Sequence, residues 1–143
     1  MLSKKLTLKR KVRGGVKYLS NCLFGRPILI NLEVTKRCNA KCNFCNYWQT
    51  KKENPLKDYL PILERFDPLV VSITGGEPLL RKDIVEIVRR IASSPRFFYI
   101  VLITNGALLT EEKALALYEA GLDQLSISLD FLGEEHDIER GIP

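Results

Sequence analysis

Three of the chain's four cysteines, Cys38, Cys42 and Cys45, fall within eight residues in the order C-x3-C-x2-C. A thiolate is both a nucleophile and a soft metal ligand, so this spacing points to a metal centre or to thiol redox chemistry. A structural zinc site wants four donors, usually as two pairs. Here there is one C-x2-C pair, and the lone histidine, His136, lies far along the chain. A redox pair of Cys42 and Cys45 would leave Cys38 without a role. Ferredoxin-type clusters use four cysteines at other spacings. Three thiolates on a four-iron cluster would leave one iron open to a ligand from outside the protein. The fourth cysteine, Cys22, stands apart and reads as a buried small apolar group.

A thiol loop needs a rigid frame, and the remaining sequence supplies one. Residues 28–34, 69–74, 97–104 and 125–130 read as strands. Between them, residues 56–66, 82–92 and 110–120 read as helices. Pro61 is expected to kink or divide the first of these. Thr110 is placed to cap the last, and Gly121 to stop it. Strand–helix alternation predicts an α/β fold with parallel strands, either an open doubly wound sheet or a β/α barrel. A strand buried on both faces should be almost wholly apolar. Three strands instead alternate apolar residues with Asn31 and Glu33, with Ser72 and Thr74, and with Ser126, Ser128 and Asp130. The third is apolar until Thr104. One face of the sheet is therefore expected to line a polar, concave interior. The cysteines, TGGEP (74–78), TNG (104–106) and SLD (128–130) each fall at the C-terminal end of a strand. In parallel β/α folds that rim is where ligands bind.

Taken together, C38-x3-C42-x2-C45 and the GGEP, TNG and SLD segments at successive strand ends resemble the radical S-adenosylmethionine (SAM) enzymes. The resemblance runs over residues 28–141. It implies a partial (β/α) barrel and a [4Fe–4S] cluster held by Cys38, Cys42 and Cys45, with the amino and carboxylate groups of SAM on the free iron. It implies that Phe44 lies near the adenine and that Gly75, Gly76 and Glu77 bind the methionine amino group. Thr104, Asn105, Ser128 and Asp130 become candidates for the methionine carboxylate and the ribose hydroxyls, although Asn-Gly by itself is also an ordinary turn. The activity implied is reductive cleavage of SAM to a 5′-deoxyadenosyl radical that modifies a substrate, in cofactor, peptide or lipid maturation. The implied partner is a reductant such as ferredoxin or flavodoxin. Residues 136–141, HDIERG, resemble segments of the branch with molybdenum-cofactor, haem-synthesis and peptide-modifying members. Read without the resemblance, the segment is a loop entering a helix with Arg140 in a salt bridge. The competing functional reading is a non-enzymatic iron–sulfur or zinc-binding module.

The 143 residues suit about one domain, with a basic arm over residues 1–26 and the N-terminal part of the core domain over residues 27–143. A closed eight-unit barrel takes about 250 residues. Four strands are predicted here, so the chain is expected to be a fragment with weak or no activity alone. Net charge is +5, yet residues 1–17 hold seven basic residues and no acid, so the remainder is acidic. Within the arm, Leu8, Val12, Val16, Leu19 and Leu23 recur at helical spacing. Ser3 could cap that helix and Gly25 could end it, while Gly14 and Gly15 weaken it by about 1 kcal/mol each. The arm reads as a solvated helix packed on the domain, or as a segment that touches anionic lipid or another polyanion. No nucleic-acid partner is expected. No apolar run approaches the ~18 residues of a membrane span, so the expected setting is cytoplasmic, with peripheral membrane contact through the arm.

Overall fold

The computed structural model describes residues 7–142. Strands β1 (Leu29–Glu33), β2 (Val70–Thr74), β3 (Tyr99–Thr104) and β4 (Gln124–Ile127) form one parallel sheet in the order β1-β2-β3-β4. Helices α2 (Leu60–Phe66), α3 (Ile84–Ala92) and α4 (Glu111–Ala120) connect successive strands. A helix α1 (Leu8–Leu23) precedes the sheet and α5 (Glu134–Arg140) follows it.

Strand register decides between the two architectures. Leu32, Ile73, Leu102 and Leu125 stand side by side on one face. They share a core with Leu60 and Leu63 of α2, Ile84, Ile87, Val88 and Ile91 of α3, and Leu117 and Ala120 of α4. All three crossover helices thus cover the same face. A doubly wound sheet reverses its strand order and carries helices on both faces; this one runs in sequence without reversal, as a barrel wall does. Each fully buried aliphatic side chain in this layer stabilises the fold by roughly 1.5–3 kcal/mol relative to exposure. The opposite face carries the row Asn31, Ser72, Val101 and Gln124, polar at every position except that of β3, as the alternation predicts.

Local chemistry explains the boundaries. Thr110 caps α4 by accepting from the Lys113 N–H at 3.2 Å, and Gly121 ends it in the left-handed region. Of residues 56–66 only Leu60–Phe66 are helical, because Pro61 sits in the first turn, where its missing N–H costs nothing. Pro61 therefore begins the helix where a kink was expected. β4 stops at Ile127, paired with Thr104 at the end of β3. Ser128 and Asp130 consequently belong to the following loop and not to the strand.

α1 is capped by Thr7, whose hydroxyl accepts from the Arg10 N–H at 3.3 Å; Ser3, expected as the cap, lies outside the described residues. The helix crosses the N-terminal ends of the strands. Arg10 donates to the Phe98 carbonyl and pairs with Asp123 at 2.6 Å, just before β3 and β4. Asn21 donates to the carbonyls of Pro27 and Asp67, just before β1 and β2. Gly14 lies flat on the Phe98 ring, where a Cβ would come within 2.5 Å of a ring carbon. An amphipathic helix normally turns its apolar stripe to the core. This one docks through its polar side, leaving Leu8, Val12, Val16, Leu19 and Leu23 between 59% and 79% exposed. Among the described residues no helix is long and apolar enough to cross a membrane.

Candidate functional site

At the C-terminal rim of the sheet an open pocket of about 250 Å³ is lined by Cys38, Cys42, Cys45, Phe44, Gly75, Gly76, Thr104, Asn105 and Ser128, with Ala40, Tyr47, Thr74, Ile103 and Arg140. Three strand ends and the thiol loop thus meet where the sequence pattern placed them. Glu77 and Asp130 do not line it.

The thiol loop is fixed at its base by two close approaches. The Gly76 N–H donates to the Thr35 carbonyl and the Glu77 N–H to the Arg37 carbonyl, both at 2.8 Å. A Cβ on Gly75 would lie 2.2 Å from the Thr35 oxygen, and one on Gly76 would lie 2.2 Å from the Arg37 oxygen. The paired glycines therefore let the end of β2 lie against the backbone leading into Cys38.

The Glu77 side chain is fully buried, and its carboxylate is already engaged. It accepts from the Leu79 N–H at 2.9 Å, from the Thr104 hydroxyl at 2.7 Å and from the Asn105 N–H at 2.8 Å. Through these bonds Glu77 is a strut joining the GGEP and TNG segments. The Thr104 hydroxyl also accepts from the Gly106 N–H at 3.0 Å. The Asn105 amide donates to Asn39 at 2.9 Å and accepts from the Ala107 N–H at 3.0 Å. Both side chains hold the rim together. The Asp130 carboxylate is likewise taken, by Arg140 at 2.7 Å, and this bond holds its carboxyl below the usual range. The Ser128 hydroxyl has no hydrogen-bond partner among the described residues, although its backbone N–H donates to the Thr104 carbonyl at 2.9 Å.

Arg140 closes the far side of the pocket. Its guanidinium lies 5.7 Å from the centre of the Phe44 ring, a cation–π distance. The Lys41 N–H donates to the Arg140 carbonyl at 2.9 Å and the Asn43 N–H to the Glu139 carbonyl at 3.2 Å. The thiol loop is thus pinned to α5. His136, buried in α5, accepts the Asp130 N–H at Nδ1, 3.3 Å away.

Three residues outside the motifs complete the frame. Arg81 is buried and donates to the Val34 carbonyl at 2.7 Å, fixing the exit of β1, while its other edge pairs with Asp83. Tyr47 donates to the Glu33 carboxylate. Glu53 accepts from the Thr35 hydroxyl, the Lys36 N–H and Arg37 Nε at 2.6–2.7 Å. Burial alone would raise the Glu53 pKa, but the bonds from Thr35, Lys36 and Arg37 reverse that and bring it down to about 2. Its stabilising effect is full above the ordinary value of 4.5 and fades as pH falls through the folded value. Glu53→Gln should therefore cost about 2–3 kcal/mol at pH 7. The gap to wild type in urea midpoints should close between pH 4.5 and about 2. A gap independent of pH would show that the charge does not matter.

All three rim thiols are free. Burial pushes the Cys38 thiol up, opposed by a backbone bond at Ala40 and reinforced by Glu77 and the other two cysteines. Burial also raises Cys42, against the opposing pull of Arg140. Loading a metal must then displace protons. Among the described residues no three of His, Cys, Asp and Glu stand close enough for a single ion. Tetrahedral zinc at 2.3 Å would draw thiolates to about 3.8 Å from one another, whereas a cluster distributes its thiolates over several irons. Three free thiols on one pocket, with no fourth ligand beside them among the described residues, fall one short of a closed structural zinc site and suit a multi-iron cluster with a site left over.

A sheet wound in sequence, with a soft-ligand loop on its C-terminal rim, defines a cofactor-binding β/α enzyme domain. The family model of the radical SAM superfamily matches residues 32–142. The chain belongs to that superfamily, whose enzymes use a [4Fe–4S] cluster and SAM. Curated relatives include a probable GTP 3′,8-cyclase of Pyrococcus abyssi, 41% identical over 76% of this chain and 37% of its own length. The GTP 3′,8-cyclase of Aquifex aeolicus is 36% identical over 77% and 38% respectively. The chain thus spans under two fifths of the length of those relatives. Among solved structures, BtrN in complex with AdoMet and 2-DOIA is 26% identical with a TM-score of 0.62, covering 78% of this chain and 49% of that one. Streptococcus suis SuiB bound to S-adenosylmethionine shares the fold, with a TM-score of 0.67 at 21% identity over 90% of this chain and 32% of its own.

Proposed function

We propose that this chain carries the cluster and the methionine end of SAM in a radical SAM enzyme. Cys38, Cys42 and Cys45 would hold the [4Fe–4S] cluster. When bound, the reduced cluster and SAM supply a 5′-deoxyadenosyl radical able to take hydrogen from a substrate. The backbone at Gly75 and Gly76 presents polar groups to the ammonium, since no side chain stands between it and the pocket. Phe44, held under Arg140, offers a ring face to the adenine. Ser128, a rim hydroxyl with no hydrogen-bond partner among the described residues, is a donor for the ribose or the carboxylate. Thr104, Asn105, Glu77 and Asp130 act one step back, by fixing the loops that carry these groups. The observation that carries the reading is one pocket shared by three free thiols and the Gly-Gly backbone edge.

The electron would come from a one-electron carrier such as ferredoxin or flavodoxin. A reducing cytoplasm suits both donor and cluster, and α1 offers a peripheral contact with a membrane. Relatives named GTP 3′,8-cyclase favour a purine nucleotide substrate over peptide or lipid substrates. The test is anaerobic reconstitution followed by electron paramagnetic resonance of the reduced protein with and without SAM. The signal should shift when SAM is added, because an open iron takes its ligands. A spectrum indifferent to SAM overturns the reading, as does tetrahedral zinc in place of iron.

A further inference from the structure

α1 carries its apolar side chains on the side that does nothing for the domain beneath it. At 100° per residue, Leu8, Val12, Val16, Leu19 and Leu23 fall within an arc of about 80°. Arg10, Gly14, Lys17 and Asn21, which meet the domain, fall within about 60° on the opposite side. Lys9 and Arg13 border one margin of the apolar arc and Lys11 the other, and all three are exposed. α1 contains no acidic residue.

The charges on this end of the molecule do not balance. Arg10 is paired with Asp123. Lys17, Arg26 and Arg96 all converge on the single carboxylate of Asp67, at 2.7, 2.8 and 3.2 Å. Lys9, Lys11 and Arg13 have no carboxylate partner among the described residues. An apolar stripe between rows of unpaired cations suits a surface that is anionic outside and apolar just beneath. A second copy of the helix would set like charges against each other.

We propose that α1 is an interfacial helix that lays the Leu8–Leu23 stripe into the surface of a bilayer containing anionic lipid. The inference does not rest on the chemistry of the thiol rim. It does set the rim's orientation. α1 crosses the N-terminal ends of the strands and the cysteines lie at the other end, so strands of this length hold the pocket about 15–20 Å above the headgroups. The pocket then opens toward water, and the lipid is an anchor, not a substrate.

Flotation of the full chain with phosphatidylcholine vesicles, with and without phosphatidylglycerol, tests this. The protein should float with the anionic vesicles at low salt and be released by high salt. Val12→Glu with Leu19→Glu should lower the bound fraction at least about tenfold. Replacing Lys9, Lys11 and Arg13 by Ser should weaken binding about fivefold per cation at low salt. All five positions are exposed, so melting should be unchanged; if the glutamates lower it, Leu8→Ser with Leu23→Ser gives the same reading at the helix ends. Wild-type protein that stays down with anionic vesicles overturns the proposal, as does equal flotation of wild type and variant. A vesicle-free dimer that the glutamates dissolve also overturns it, by assigning the stripe to a second copy.

Discussion

Replacing any one of Cys38, Cys42 or Cys45 with alanine is expected to abolish stable cluster loading while leaving the chain folded. A four-iron cluster held by three protein thiolates has no protein ligand in reserve, so losing one leaves two irons without protein sulfur. The fold should survive because these side chains sit outside the main core. Cys42 belongs to a small separate cluster with Ala40 and Ile142, and the partly buried Cys38 and Cys45 pack against that cluster and not against the main core. Iron per chain after anaerobic reconstitution and desalting should fall from about four to near zero, with the thiolate-to-iron absorbance lost in parallel. Melting should move little. Cys22→Ala is the internal control: that thiol, expected to be buried, is exposed because α1 docks through its other side, and its removal should leave iron content unchanged. Full iron retention in Cys38→Ala would mean that the C-x2-C pair alone carries the metal.

The second large effect concerns space and not ligands. Gly76→Ala should destabilise the chain by about 2–3 kcal/mol and impair cluster loading in the fraction still folded. Gly76 does not have a positive φ, so alanine meets no conformational penalty of its own there. Its Cβ would, however, sit 2.2 Å from the Arg37 oxygen, 2.6 Å from the Arg37 carbonyl carbon and 2.8 Å from the Lys36 oxygen. All three are backbone atoms and cannot rotate away. Relief must come from shifting residues 36–37, which lead directly to Cys38, and breaking the Glu77-to-Arg37 hydrogen bond. Gly15→Ala is the contrast, since nothing lies within 4 Å of a Cβ there and helix propensity favours alanine by up to about 1 kcal/mol. Urea midpoints for the two variants should move in opposite directions. If Gly76→Ala is neutral, the close contact between β2 and the thiol loop is not what holds the rim.

Much of this arrangement was legible from spacing alone because its causes are local or periodic. The Thr110 cap and the Gly121 stop depend on residues within one helix. The polar row through Asn31 and Ser72 follows from the two-residue repeat of a strand. The thiol spacing announces soft-metal chemistry before any fold is known. What was not legible depends on partners distant in sequence. Glu77 reads as a ligand group, and only the tertiary structure shows Thr104 and Asn105 occupying its carboxylate. Glu53 sits in a polar stretch with no motif, yet it fastens residues 35–37. Arg140 reads as half of an ion pair, but its partner and its place over Phe44 required the fold. The direction in which α1 docks could not be read either. Its apolar repeat was plain, but Asp67 and Asp123, which draw its other side inward, lie far along the chain. Ser128 and Asp130 continued the alternation of β4 on paper, whereas the ladder ends where β3 does.

The pinning of the thiol loop to α5 has a consequence for how the protein is made. Asn43 and Glu139 are 96 residues apart in sequence, so the ribosome delivers the cysteines long before it delivers the helix that secures them. At 5–20 residues per second that interval is roughly 5–20 s. During it the nascent chain displays three adjacent sulfhydryls on a tether still without its anchor, open to stray copper, zinc or oxygen. Securing the loop thus waits for α5, and a slow codon between residues 46 and 138 would lengthen the exposure in direct proportion to the pause.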